Sequence, residues 1–336
     1  MTSLAVATAA AAFAQEAQEG STKIARWKGN AKGATLLYYD DGTTSSLKFA
    51  VPALNEHGVD GTFFLVPGSL EKDPQKFDAW IDAAKSPNIH VGNHTWSHKG
   101  AKSLEEMESE IAKADEVLRK RLSYPKDKLM AFAHPGGVPW DFTQEQQSEV
   151  GAKYALLSRL RGPRDIAGPS SNIKNAQDAI AMLDLAEKTG DLTTILFHGV
   201  GGDWFNFPPA DHETLVREIA KRKEEGRIWA PSAIDALKYV AERDGASITD
   251  AYSGRSVAHA TAGKTFAFNL NVTTDSTRYD VPLTLVTQVP ADWKSATVRQ
   301  WQNTFKVPVN QGALTYDVKP IASRILILKD NDPAGN

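Results

Sequence analysis

The strongest constraint on this chain is a rhythm. From about Ala34 to Gly245, short apolar runs alternate with amphipathic segments, and several of the runs end in polar clusters. "ATLLYYDDG" reads as a buried strand closing on Asp40-Asp41-Gly42, and "GTFFLVPG", "NIHVGNHT", "KLMAFAHPGG", "KYALLSRL" and "DLTTILFHGVGG" read as further strands. Between them "FAVPALNEHG", closed by Gly58, and "KFDAWIDAAKSP", "LEEMESEIAKADEVLRKRL", "DHETLVREIAKRKEEG" and "APSAIDALKYVAERDG" fit helices. In the longest, Leu104, Met107, Ile111, Ala114 and Leu118 share one stripe. The alternation predicts an α/β fold of parallel βα units, an open sheet or a barrel, with its chemistry gathered at the carboxyl edge of the strands.

Beyond Gly245 the pattern changes. "TFAFNLNV", "DVPLTLVTQV", "FKVPVNQGALTYDVKP" and "SRILILKD" alternate with period two and are split by turn residues, which predicts a small β-sandwich-like accessory domain over 255–336, with the junction near Gly254. The larger domain takes 21–246. Exposed Trp293 and Trp301 would suit carbohydrate binding by the β domain; the plainer reading puts both in its core.

Composition removes several classes. Lys and Arg number 38 against 41 Asp and Glu, so the net charge of −3 offers no electrostatic case for nucleic acid or an anionic membrane. With no cysteine, disulfides, thiolate ligands and a Cys nucleophile are excluded, and a transition-metal site must be built from His, Asp and Glu. Residues 1–20 are small and apolar before Ala12-Phe13-Ala14, a small-x-small pattern, and read as a signal remnant or an Ala-rich tail. The first reading is preferred, so a secreted or periplasmic protein is expected, and no stretch is apolar enough to span a membrane.

The strand ends carry the chemistry. Parallel neighbours would bring Asp40, Asp41, His94, His98 and His198 to one crevice. His94 and His98, four apart, can share a face of a helical turn. Two histidines and one carboxylate form a three-ligand site with positions left open, suited to zinc and related divalent ions in hydrolysis, and the second carboxylate is then free to act. The plain alternative for "HTWSH" alone is a hydrogen-bonded polar loop.

Taken together, the motifs resemble those of the NodB-type polysaccharide deacetylases, carbohydrate esterase family four, over about residues 33–245. Tyr38-Tyr39-Asp40-Asp41 stands where the family has T-F-D-D, His94-Thr95-Trp96-Ser97-His98 meets H-S/T-x-x-H, and Leu196-Phe197-His198 meets L-x-H. The resemblance implies a distorted (β/α) barrel, with Asp41, His94 and His98 holding one divalent ion, zinc foremost and cobalt, nickel or manganese as alternatives. Asp40 would be the general base and His198 the general acid, beside a Leu196 that lines the acetyl pocket. Pro135 and Gly136 fall in the third motif, and the Gly136 N–H is the candidate oxyanion donor.

The third motif departs from the family. It usually reads R-x-P-Y, and here it is Ala133-His134-Pro135-Gly136, so the Arg that anchors the base is missing; Arg159, Arg161 or Arg164 could substitute. Gly in place of Tyr widens the groove. His134 is a candidate to face substrate or support the site. The acid that tunes the acidic His has no clear match, and Asp165 and Asp203 are the candidates. Trp204 and Phe205 would stack on a sugar or pack beneath their loop. His57, His90 and His212 read as structural.

The expected function is hydrolysis of acetyl groups from an acetylated polysaccharide or oligosaccharide by attack of a metal-bound water, foremost N-deacetylation of an amino-sugar polymer. The alternatives are an O-acetyl esterase acting on xylan or another plant glycan and, in another class, a catalytically silent carbohydrate-binding module. A metal phosphohydrolase would need more basic residues near the ion.

Overall fold

The computed structural model describes residues 19–160, 165–166, 173–250 and 265–330. The signal-like stretch before residue 19, Arg161 and Arg164, and the Gly254 junction lie outside them, as does the side chain of Asp165.

Parity along the strands decides which side chains meet. In β2 (Gly33–Asp40) all eight positions are buried. Leu37 and Tyr39 pack into the outer core beneath the helices, whereas Ala34, Leu36 and Tyr38 face an inner core. The same division runs through β3 (Gly61–Leu65), β4 (Ile89–Asn93), β5 (Met130–Phe132) and β8 (Leu192–Phe197): Phe63, Ile89, Phe132 and Phe197 lie outside, and Phe64, Ala131 and Leu196 inside. Strands buried on both faces explain the apolar runs that lack alternation.

With β6 (Leu156–Ser158), β7 (Asp165–Ile166) and β9 (Ile228–Trp229), these form one eight-stranded sheet in the order β6-β5-β4-β3-β2-β8-β7. Every pair is parallel, and β9 joins the first two residues of β2. The sheet is curled. Arg159, just after β6, reaches Asp40 on β2 at 2.8 Å, although four strand spacings of a flat sheet would separate those strands by roughly 19 Å. Among the described residues β6 and β7 do not pair, so the expected distorted barrel is an open one.

Helices α1 (Val51–His57), α2 (Pro67–Leu70), α3 (Pro74–Ala83), α4 (Leu104–Leu122), α5 (Gln144–Lys153), α6 (Ala176–Thr189) and α7 (Pro209–Glu224) lie among the strands in sequence. Ser103 caps α4 by accepting from the Glu106 N–H, and Met107, Ile111, Ala114 and Leu118 are buried as the stripe predicts. Leu104 departs from it. In the first turn of α4 it points to solvent and is 48% exposed.

Helix α8 (Ala233–Asp244) is placed differently from the others. Ala233 and Ala236 pack into the inner core, while Tyr239 enters the core of the β domain and donates to the Ala25 carbonyl.

The β domain is a sandwich of two antiparallel sheets. One is β10 (Ala246–Asp250), β11 (Thr265–Val272), β16 (Ser323–Lys329), β13 (Ser295–Gln300) and β14 (Asn303–Pro308); the other is β1 (Thr22–Ile24), β12 (Leu283–Gln288) and β15 (Ala313–Val318). Ala246–Asp250 pairs with β11 and Thr22–Ile24 reaches across the chain to pair with β12, so each forms the outer strand of its sheet. Trp293 is buried, at 3% exposure, and Trp301 is exposed at 68%, so only Trp301 remains available to a ligand. Among the described residues no helix is long and apolar enough to cross a membrane.

Candidate active site

The site is made where the inner-facing strand ends converge. Asp40 is the last residue of β2 and, two positions beyond Tyr38, shares its inward parity. Asp41 and Gly42 then adopt left-handed conformations, with φ of 70° and 59°, which turn the chain sharply and bring the Asp41 carboxylate back toward the crevice. Asp tolerates this conformation better than most residues. A Cβ at residue 42 would lie 2.9 Å from Leu65 Cδ2, which together with the positive φ favours glycine in the turn.

His94 follows β4, and its backbone N–H donates to the Leu65 carbonyl. His94 and His98 do not share a helical turn. The Thr95 N–H bonds to the Asn93 side chain, Thr95 and His98 have φ of 66° and 56°, and the segment is a loop. Glu110 of α4 holds that loop by accepting from the Ser97 N–H and the Ser97 hydroxyl, both at 2.8 Å. A helix-surface Glu carries no sequence signal for such a role.

Asp41, His94 and His98 converge. Asp41 Oδ1 lies 3.5 Å from the Nε2 of each histidine. Ligands about 2.0–2.1 Å from a tetrahedral zinc stand roughly 3.3 Å apart, so these separations match atoms sharing an ion. His94 supports the fit. Its Nδ1 is 2.9 Å from the Ala133 carbonyl, a bond that requires the proton on Nδ1 and leaves the Nε2 lone pair toward the site. Burial, the largest influence, lowers the His94 pKa although the two aspartates pull it up, so the ring is neutral, as a ligand must be. The donor set therefore fits a divalent cation of the zinc class.

Asp40 is 4% exposed. Burial would raise its pKa, but the Arg159 charge, then His94 and His198, and the hydrogen bonds from Arg159 offset it and hold the carboxyl below its ordinary value. Arg159 Nη1 donates to both Asp40 oxygens, at 2.8 and 3.0 Å, and its guanidinium lies over the rings of Tyr38 and Phe64. A side chain just beyond β6 thus stands where the third motif lacks its Arg.

His198 follows β8, with Nε2 3.9 Å from Asp41 Oδ2 and its ring beside Phe205. Its carbonyl accepts from the Thr43 and Ser46 hydroxyls. Its Nδ1 is buried and has no hydrogen-bond partner among the described residues. Asp203 does not fill that place. Its carboxylate accepts from the Ser45 N–H at 2.8 Å and is exposed, because the turn at Ser45 needs an acceptor and Asp203 is next to it.

The remaining residues take several positions. Leu196 is half-buried on the inner face two residues before His198. Pro135 is buried, and Gly136 and Gly137 lie on an exposed loop where a Cβ would meet nothing within 4 Å. His134 Nδ1 is 3.2 Å from the Pro135 carbonyl. Trp204 is 51% exposed, yet its indole N–H is not free: it donates to Asp41 Oδ2 at 2.9 Å. His212 bonds to the Tyr39 hydroxyl in the outer core, His90 pairs with Asp60, and His57 pairs with Glu213.

The family model for polysaccharide deacetylase matches residues 28–155. That span contains Asp40, Asp41, His94, His98 and the Pro135–Gly136 loop and stops before Arg159 and His198. The match to that family model thus covers the part of the chain that carries the Asp41, His94 and His98 cluster. No curated protein matches. Among solved structures, the chain is similar to a family 4 carbohydrate esterase from Streptomyces lividans in complex with acetate, at 23% identity over 60% of this chain and 92% of that one, with a TM-score of 0.42. It is also similar to the peptidoglycan deacetylase PdaC from Bacillus subtilis (19% identity, 65% and 95% coverage, TM-score 0.45). A third is the Xyl-CE4 domain of a multidomain xylanase from the hindgut metagenome of Trinervitermes trinervoides (16%, 59% and 86%, TM-score 0.42).

Proposed function

We propose that the protein is a divalent-metal-dependent deacetylase that hydrolyses acetyl groups from an acetylated carbohydrate, with Asp41, His94 and His98 as the ion's ligands. The observation that carries this reading is the pairing of two adjacent carboxylates with different partners: Asp41 converges on two imidazoles, while Asp40 is held ionised by Arg159. A cation bound there supplies polarisation of the acetyl carbonyl and of a water molecule, whose pKa it lowers to roughly 7. Zinc is the first choice of metal.

The residues of this chain do the rest. Asp40, ionised and within 3.5 Å of His94 Nε2, takes the proton of the attacking water. The Gly136 N–H, in the loop that follows β5, is the donor assigned to the oxyanion, a role worth about 3 kcal/mol. Leu196 offers an apolar wall to the acetyl methyl. His198, partly exposed beside Asp41, gives a proton to the leaving group.

N-deacetylation of an amino-sugar polymer is the first reading of the substrate. O-deacetylation of xylan or another plant glycan is the alternative. Export, read from the N-terminal small-residue stretch, would place the enzyme where such polymers are found, and fractionation of cells expressing the full chain tests it.

The decisive assay is acetate release from chitin oligomers and from acetylated xylan by the metal-loaded protein. Asp40→Asn is the control, expected to lose about 10²–10⁴-fold. Acetate from neither substrate above that variant overturns the hydrolase reading in favour of a binding module.

A further inference from the structure

Asp41 has two carboxylate oxygens with different neighbours. Oδ1 faces His94 and His98 at 3.5 Å, and Oδ2 lies 2.9 Å from Trp204 Nε1 and 3.9 Å from His198 Nε2. An indole nitrogen can only donate, so the direction of the Trp204 bond is unambiguous. Trp204 is also fixed in place. Asp203 and Phe205 on either side have φ of 57° and 47°, a left-handed conformation that a non-glycine residue keeps only where the surroundings enforce it. The enforcing contacts are the Trp204 carbonyl accepting from the Gly199 N–H, the Gly199 carbonyl accepting from the Phe207 N–H, and Asp203 accepting from the Ser45 N–H.

We infer that Trp204 is a positioning residue for the cation site: its indole N–H holds Oδ2 of Asp41 so that Oδ1 is presented to the two imidazoles. Without that bond Oδ2 is released toward His198, and the carboxylate turns away from the geometry in which it matches a third ligand. This inference rests on the reading of Asp41, His94 and His98 as cation ligands. It also gives the half-exposed indole a role independent of stacking on a sugar.

The test is the zinc dissociation constant of the full chain, from competition with a chromophoric chelator, together with the visible spectrum of the cobalt(II) form. Wild type, Asp41→Ala, Trp204→Phe and a variant carrying benzothienylalanine at position 204 are compared; the last keeps the ring shape and deletes only the donor. Zinc binding by the wild type that Asp41→Ala abolishes, with a loss of about 10–100-fold in both 204 variants and altered cobalt bands, supports the inference. Unchanged affinity in the benzothienylalanine variant overturns it while the metal reading stands. Absence of zinc binding by the wild type, or indifference to Asp41→Ala, overturns both.

Discussion

Two buried carboxyls, one at the mouth of the barrel and one where α8 meets the β sandwich, behave in opposite ways. Glu242 of α8 accepts the Val281 N–H through Oε1, but its buried Oε2 has no hydrogen-bond partner among the described residues, and burial pushes its pKa up to about 7. Asp40 is as deeply enclosed and is pulled below its ordinary value, because Arg159, His94 and His198 surround it. Burial alone thus favours the protonated carboxyl, and an ionised one inside a fold requires opposite charge placed around it. The same distinction separates the two clusters of His and acid. In one, Asp41, His94 and His98 stand apart with donor atoms facing a common centre; in the other, Glu56, His57 and Glu213, the His57 Nε2 is already bonded to Glu213, which Arg217 also meets.

That contrast can be broken most severely at the ligands. His94→Ala should weaken zinc binding by more than the roughly 10–100-fold that loss of an outer partner costs, whereas His57→Ala should leave it unchanged. Equal effects in a competition titration would erase the distinction between the clusters.

The next largest effect is at Arg159. Arg159→Gln leaves Asp40 buried without its main counter-charge, and removing one partner of a buried pair costs about 3–5 kcal/mol of stability in denaturant titration. The sign of the pH effect follows from the lowered carboxyl. Asp40 contributes stability above its unfolded pKa and loses it as pH falls through the folded one; without Arg159 the folded value rises, and the acid limb of kcat/KM moves to higher pH. An acid limb that stays in place would show that the guanidinium does not set Asp40's charge.

Glu242→Gln should have the smallest effect, and the opposite sign. A carboxyl raised to about 7 binds its proton more tightly folded than unfolded, so stability falls as pH rises from its unfolded value through about 7. The variant, always neutral, should show a flatter melting temperature between pH 5 and 8, and an unchanged decline would remove Glu242 as the cause.

The strand ends are legible in the sequence because each polar cluster follows an apolar run, which places Asp40, Asp41, His94, His98 and His198 on one edge. Their partners are legible only in part: Arg159 is one of three arginines the sequence offers to Asp40, and sheet curl is what brings it there, whereas Trp204 meets Asp41 across a separation of 163 residues, a contact that no local pattern encodes. The helical turn expected at His94–His98 failed because the Asn93 side chain captures the Thr95 N–H and offers the backbone a loop instead. Helix α6 escapes a reading by strong periodicity because its core face includes three alanines, Ala176, Ala179 and Ala186, beside Met182 and Leu183. That β1 joins the sandwich is not legible, because Thr22 pairs with Thr287, 265 residues away.

The most direct measurement is anomalous scattering at the zinc edge from crystals of the zinc-loaded protein. A single strong peak about 2.0–2.2 Å from Asp41 Oδ1 and the Nε2 atoms of His94 and His98 is the predicted result. Density at Glu56, His57 and Glu213 instead, or at neither place, would contradict it.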